Sequence, residues 1–325
     1  MHILVFRLSS LGDVAMCVPV VITALEQNQE LKIDFITPKF LHPFFPNHER
    51  LSMIDFDKKN QHHGVLGIYK FYKGLNIHQY DGFADLHNVL RSNVFKFLLK
   101  TKGIKTATIN KGRKEKKNLI NHKISQPLTP TTERYANVFR SFGIKVQLDH
   151  QLTDFHHLGI PKSKGIGIAP FAAHSGKMYD LESMKEVVIG LHKDNIIKIF
   201  GSPEDLDQVQ NWEDLENVSL VKESSFKAEL KVIAELELMI SMDSANMHLA
   251  SLVGVPVLSI WGVTHPYAGF LGYGQKEEYI LQDNTLSWRP TSIYGNKLGP
   301  DDNPNGMRNI TPHQIITKVE TILGL

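Results

Sequence analysis

A chain of 325 residues that is 42% hydrophobic and 22% charged has enough apolar side chains for two cores, which excludes a disordered or low-complexity protein. Its single cysteine, Cys17, excludes an internal disulfide framework and fits a reducing compartment, and no run of roughly 18 apolar residues offers a membrane span. The net charge of +2 conceals unlike halves: residues 1–164 hold 24 Lys and Arg against 13 Asp and Glu, net +11, and residues 165–325 hold 12 against 21, net −9.

In chain order, Ile3–Phe6 reads as a strand and Val14–Gln27 as a helix. Arg7 and Asp13 interrupt the first apolar run and no Ala-x-Ala-like site follows, so it is not a signal peptide and a cytoplasmic location is expected. Strands follow at Lys32–Ile36, Tyr80–Leu86 and Thr106–Ile109, with helices at Ser92–Leu99 and Thr132–Phe142, the last closed by Gly143. The rhythm breaks near 151–165 and restarts. Strands are expected at Gly165–Ala169, Ile196–Phe200, Val218–Val221, Leu238–Ser241 and Val255–Trp261. Helices are expected at Leu181–His192, 203–215, Phe226–Ala234 and Ala245–Val253. A loop-rich stretch, 283–310, precedes a final helix at Thr311–Leu325, where Thr311-Pro312 is a helix start. Repeated βα units imply parallel sheets covered on both faces. The reading is two Rossmann-like domains, 1–155 and 165–310, with a ligand cleft at the carboxyl ends of their strands.

The basic excess is densest from Lys100 to Lys123. It reads either as a solvated loop or as a surface for an anionic partner. No nucleic-acid motif accompanies it and no aromatics interleave with it, so nucleic acid is not the expected partner.

Three segments carry chemistry. In "RLSSLGDV" a strand ends and a helix begins, and Asp13 is either a helix cap or a placed base. The segment lacks G-x-G-x-x-G, which argues against a dinucleotide oxidoreductase. In "SMDSANMHLASLVGVPVLSIWGVTHP", Asp243 and Ser244 end a strand and His248 follows one turn later. The helix N-terminus at Ser244, Ala245 and Asn246 suits a diphosphate, and the next strand ends beside it at Gly262 and Thr264. In "IAPFAAHSGKMYD", Ser175 and Lys177 follow a strand, with Lys177 a point charge for phosphate or merely solvated. The triplets Asp55-Phe56-Asp57 and Asp205-Leu206-Asp207, and the pairs His62-His63 and His156-His157, read as surface, so no metal is expected.

Together these residues carry a resemblance. "MHILVFRLSSLGDVAMCVPVV", "YDGFADLHNVLRS", "TERYANVFRSFGI" and "MDSANMHLASLVGVPVLSIWG" resemble, in order, the motifs of glycosyltransferase family 9, the lipopolysaccharide heptosyltransferases. The resemblance implies a GT-B fold, α/β, with two Rossmann-like domains facing across a cleft. The acceptor would lie on the first domain, the sugar nucleotide on the second, and helix 311–325 would return to the first. It implies inverting, metal-independent transfer, usually of heptose from ADP-heptose, to a lipopolysaccharide inner-core or related anionic glycolipid, with peripheral contact at the inner membrane face. Asp13 would be the catalytic base. Ser175, Lys177, Asp243, Ser244, Ala245, Asn246, His248, Gly262 and Thr264 would bind the donor. Ser9, Ser10, Gly12, Arg91 and Arg134 would bind the acceptor, the two arginines being otherwise surface ion pairs. No cofactor beyond the sugar nucleotide is implied. Three positions depart from the family pattern: Ala245 stands for Gly, Met16 for His, and His265 for Asp. Another sugar-nucleotide enzyme, a hexosyltransferase or an epimerase, and a non-catalytic sugar-nucleotide-binding protein are the alternatives.

Overall fold

The computed structural model describes residues 1–325. Its elements are β1 (His2–Phe6), α1 (Leu11–Ala15), α2 (Cys17–Gln27), β2 (Lys32–Thr37), β3 (Leu51–Asp55), α3 (Gly64–Lys73), β4 (Gly82–Asp85), α4 (Leu90–Lys100), β5 (Lys105–Thr108), α5 (Arg113–Ile120) and α6 (Thr131–Arg140). After an irregular stretch come β6 (Gly165–Ala169), α7 (Leu181–Leu191), β7 (Ile196–Ile199), α8 (Pro203–Asp207), β8 (Val218–Leu220), α9 (Phe226–Ala234), β9 (Leu238–Met242), α10 (Ala245–Leu252), β10 (Val257–Trp261), β11 (Ile280–Gln282) and α11 (Pro312–Leu323).

The chain divides into two compact units, Met1–Lys111 with Thr131–Asp149, and Gly112–Pro130 with His150–Leu325. Unit 1 holds a five-stranded parallel sheet ordered β3-β2-β1-β4-β5. Its core on one face is aromatic: Phe6, Phe83 and Phe95 are buried, with Phe95 stacked on Phe6 at 5.8 Å. Unit 2 holds a six-stranded parallel sheet ordered β11-β10-β9-β6-β7-β8. Strands β6, β9 and β10 are buried at every residue, as continuous apolar runs covered on both faces must be.

Two expectations about organisation are corrected. The final helix does not return to the first unit. In α11, Ile315 and Val319 are wholly buried in the core of unit 2, and Ile316 fills the space over Gly190 of α7 that a Cβ would need. The basic segment after Lys111 is no solvated loop of the first domain either. Helix α5 and the strap behind it pack on unit 2, where Leu119 and Leu128 join Ala268 and Ile293. The Leu128 N–H donates to Tyr267 O at 2.9 Å, and Lys116 lies 4.0 Å over the Phe270 ring. With those residues reassigned, the units carry +6 and −4, a smaller contrast than the halves.

Sequence reading also passes over β3, α3, α5 and β11, and the expected helix 203–215 is the short α8 followed by a 3-10 turn. Helix α9 and strand β6 have the expected bounds. Thr311 caps α11 by accepting from Gln314 N, with Pro312 first in the helix. No helix is long and apolar enough to cross a membrane.

Candidate active site

In unit 1 the first strand, β1, lies between β2 and β4, so the chain leaves its carboxyl end at the topological switch point of the sheet. Ser9, Ser10, Gly12 and Asp13 occupy that exit. Asp13 is the third residue of α1, and its Oδ2 accepts from the Ser10 N–H at 3.2 Å and from Ser10 Oγ at 2.8 Å. The capping role is therefore real. The same oxygen pairs with Arg7, whose other terminal nitrogen donates to Leu86 O at 2.7 Å. Arg7 is 5% exposed and its guanidinium lies 5.8 Å from the Tyr135 ring. Asp13 thus neutralises a buried cation as well as closing a helix turn. Sequence reading singled out neither Arg7 nor Tyr135, because their roles depend on packing between distant segments.

The loop after β4 leads to Arg91. Asp85 is wholly buried, and its Oδ1 accepts from the backbone N–H of His87 at 3.0 Å and of Asn88 at 2.8 Å, which fixes that loop. Lys96 Nζ stands 3.9 Å from its other oxygen. Arg91 is exposed in the first turn of α4. Arg134 is not a surface residue: it is 6% exposed in α6 and donates to Asn110 O at 3.3 Å, which corrects the surface ion-pair reading.

In unit 2 the first strand, β6, lies between β7 and β9, again a switch point. Lys177 follows β6 and Asp243 follows β9, and the sheet places their side chains together. Lys177 Nζ is 2.8 Å from Asp243 Oδ2, and Thr264 Oγ1 donates to the same oxygen at 2.9 Å. Asp243 is buried. Its carboxylate serves this cluster and does not cap α10, whose N-cap is Ser244. Ser175–Lys177 forms one 3-10 turn, stitched to the end of β10 by Val263 N–H donating to Gly176 O at 2.9 Å. Gly262 is required by close approach: a Cβ there would strike the carbonyl oxygens of Gly176 and Asn305. Ser244 stands at the N-cap of α10 without capping through its side chain, and its Oγ is 3.2 Å from Ser241 Oγ. Ala245 and Asn246 are half-buried in the first turn of α10, and His248 is buried one turn on.

One residue that sequence reading missed organises this end of the sheet. Arg289 is 7% exposed, and its guanidinium donates to the carbonyl oxygens of Trp261, Gly262, Thr264 and Asp283 and to Gln282 Oε1. Burial pushes its pKa down to about 10, with Asp283 opposing. Gly295 is the second: a side chain there would collide with the aliphatic part of Lys177. A cavity of about 290 Å³ is lined by Arg289, His265, Tyr267 and Asp283 and by His122 and Ile124 of the strap after α5.

The acidic triplets take part in local hydrogen bonding. Asp55 accepts from Lys39 N–H at 2.8 Å, Asp57 from Asn60 N–H at 3.1 Å, and Asp205 from Ser202 Oγ at 2.9 Å. His62 is half-buried and its ring packs against Phe56 and Phe71, at 4.9 Å and 4.7 Å. No group of three or more His, Cys, Asp or Glu is placed to hold a metal ion.

Two histidines near these clusters stay neutral. Burial, then the charges of Arg7, Lys111 and Lys58, pushes His87 down to about 3 against the opposing pull of Asp13. Burial and then Arg289 pushes His265 down to about 4, and its Nδ1 accepts from Tyr267 N–H at 3.1 Å. In an unfolded chain both titrate near 6.5. The stability they supply is complete above about pH 6.5 and is lost as pH falls toward 4, where unfolding takes up roughly two protons through them. Urea unfolding from pH 7.5 to 4.5 is expected to show this loss, and a His87→Gln, His265→Gln double variant to flatten it. An unchanged slope in that variant would remove both groups from the account.

Two Rossmann-type sheets, each with a polar cluster at its switch point, are the architecture of GT-B proteins. The sequence profile of glycosyltransferase family 9 (heptosyltransferase) matches residues 68–287, and the chain belongs to this family. It is a glycosyltransferase. The lipopolysaccharide core heptosyltransferase OpsX of Haemophilus influenzae is 21% identical over 292 residues, 81% of this chain and 79% of that protein. Among solved structures, E. coli heptosyltransferase WaaC with ADP-2-deoxy-2-fluoro heptose aligns at a TM-score of 0.70 and 16% identity over 99% of both chains. The glycosyl transferase family 9 protein from Veillonella parvula DSM 2008 aligns at 0.72 and 19% identity over 99% of this chain and 97% of that one. These likenesses establish the GT-B fold.

Proposed function

We propose that this enzyme transfers heptose from ADP-heptose to an inner-core sugar of lipopolysaccharide or a related anionic glycolipid at the cytoplasmic face of the membrane, with inversion and without a metal. The observation that carries the reading is the Lys177–Asp243–Thr264 cluster at the β6/β9 switch point, beside the N-terminus of α10. The ADP-heptose analogue named with the E. coli neighbour supports the choice of donor.

The acceptor hydroxyl attacks the anomeric carbon from the face opposite the diphosphate. The new C–O bond forms as the bond to the diphosphate oxygen breaks, and a single displacement inverts the centre. Asp13 takes the hydroxyl proton. Lys177 and the N–H groups at Ser244–Asn246 receive the charge that develops on the departing diphosphate. Asp243, held by Thr264, accepts from a donor hydroxyl, and Ser175 and His248 border the diphosphate. Gly262 supports this pocket through its backbone packing. Ser9, Ser10 and Gly12 present the base, and Arg91 and Arg134 attract acceptor carboxylates or phosphates.

The test is release of ADP, GDP or UDP from the matching sugar nucleotides in the presence of a deacylated inner-core acceptor. Turnover with ADP-heptose is expected. Turnover confined to a GDP- or UDP-hexose would replace this donor, and His265 would then be the first residue to examine.

A further inference from the structure

Helices α3 and α4 cover one face of the unit 1 sheet, and their inner sides are satisfied: Ile68, Phe71 and Tyr72 of α3 and Phe95 and Leu99 of α4 lie in the core. Their outer sides are apolar as well. Leu66 is 84% exposed, Leu90 79%, Phe97 67% and Val65 64%, and Tyr69 is exposed beside them. On α3 the exposed residues Val65, Leu66, Tyr69, Lys70 and Lys73 recur at helical spacing and form one stripe. On α4 Leu90 and Phe97 lie two turns apart on another. Each helix follows a strand of the parallel sheet, β3 or β4, so the first turns carrying Val65, Leu66 and Leu90 stand at the carboxyl edge of the sheet, the edge that holds Asp13. Monomeric surfaces do not ordinarily gather apolar side chains this way without something to cover them.

The surrounding charge says what covers them. From Lys58 to Lys111 the chain carries ten basic residues and two carboxylates, and one of those, Asp85, is wholly buried. Lys59, Lys70, Lys73, Lys100 and Lys102 are exposed around the stripes. A second copy of this face would set like charge against like. An anionic bilayer supplies both an apolar interior for Leu66 and Phe97 and negative headgroups for the lysines. We infer that the outer face of α3 and α4 is the surface by which the enzyme docks on anionic lipid. This rests on the lipid-linked acceptor of the proposed reaction, and the Val65, Leu66 and Leu90 end of the face stands at the sheet edge that holds Asp13.

The experiment is co-sedimentation of the full-length protein with vesicles of phosphatidylcholine alone and of phosphatidylcholine with phosphatidylglycerol. The wild-type protein is expected to partition onto the anionic vesicles and to be released by salt. Leu66→Ser with Phe97→Ser should lower that partition about tenfold. Lys70→Gln with Lys73→Gln should weaken the preference for phosphatidylglycerol, and this second pair guards against a folding defect in the first. Both variants should keep wild-type transfer to a deacylated, soluble acceptor. Equal partition of wild type and the Leu66, Phe97 variant, or indifference to phosphatidylglycerol, would overturn the surface. So would a dimer in sedimentation equilibrium that the Leu66, Phe97 variant abolishes, which would assign the face to a second copy. The vesicle assay contains no sugar nucleotide, so its failure leaves the transfer reaction standing, and failed turnover leaves the partition result standing.

Discussion

Asp13→Asn is expected to lower kcat by about 10²–10⁴-fold, the usual worth of a positioned general base, with donor affinity unchanged. Asparagine is the informative substitution because of what the carboxylate does in the fold. Its Oδ2 holds Ser10 and pairs with buried Arg7. An amide oxygen can still accept from both, so the turn and the arginine keep a hydrogen-bond partner while the base and the counter-charge are lost. Asp13→Ala removes all three functions. It leaves Arg7 buried without its counter-ion and should cost about 1–3 kcal/mol of stability, less than a wholly buried pair would because Asp13 is partly exposed. The pair of variants therefore separates chemistry from architecture: Asn inactive and folded, Ala inactive and less stable. An Asn variant that retains wild-type kcat, measured by ADP release, would leave Asp13 a cap and counter-ion, and the base would have to be sought elsewhere.

The contrast between Asp13 and Asp243 shows what a sequence can resolve. Both follow an apolar strand and precede a helix, and both fit a cap equally well. In the structure Asp13 caps and Asp243 does not, because Lys177 and Thr264 reach Asp243 from neighbouring strand ends. That convergence was legible, since strands alternating with helices place successive carboxyl ends on one edge of a parallel sheet. The preference of one carboxylate for its own helix turn over a distant partner was not, because it depends on which long side chain arrives. Strand β3 stayed hidden because an edge strand with mixed burial lacks a clean two-residue alternation. Helix α3 stayed hidden for another reason: Gly64, Gly67 and Gly74 punctuate it and read as loop residues. Helix α5 is mostly charged and has one buried side chain, Leu119, so only tertiary contact with unit 2 reveals where it belongs. The same contact moves the part of the basic cluster from Arg113 to Lys123 off the unit that carries Asp13, which leaves Lys58 to Lys111 as the basic stretch of unit 1.

Replacing Arg289 is expected to cost the most stability of any single change near the donor cluster. Its partners are four main-chain carbonyls and one side-chain amide, which no residue pattern advertises. The five N–H groups of a guanidinium fan out in one plane and meet oxygens arriving from β10, from the loop after it and from the end of β11. Lysine concentrates three donors on one atom and cannot span them. Arg289→Lys should therefore lose about 2–3 kcal/mol, and Arg289→Met about 3–5 kcal/mol, because buried carbonyls left without a donor carry the full cost of their desolvation. The consequence reaches the donor cluster along the backbone. Arg289 holds the carbonyls of Gly262 and Thr264, Thr264 holds Asp243, and Asp243 holds Lys177. A loosened loop should weaken ADP binding by roughly tenfold, the worth of one charge-assisted contact. Urea unfolding followed by tryptophan fluorescence reads the first effect, since Trp261 is wholly buried at the same strand end. Calorimetric titration with ADP on the folded variant reads the second. Arg289→Lys with wild-type stability and wild-type ADP affinity would show that the carbonyls find other donors and that Arg289 does not set the position of Thr264.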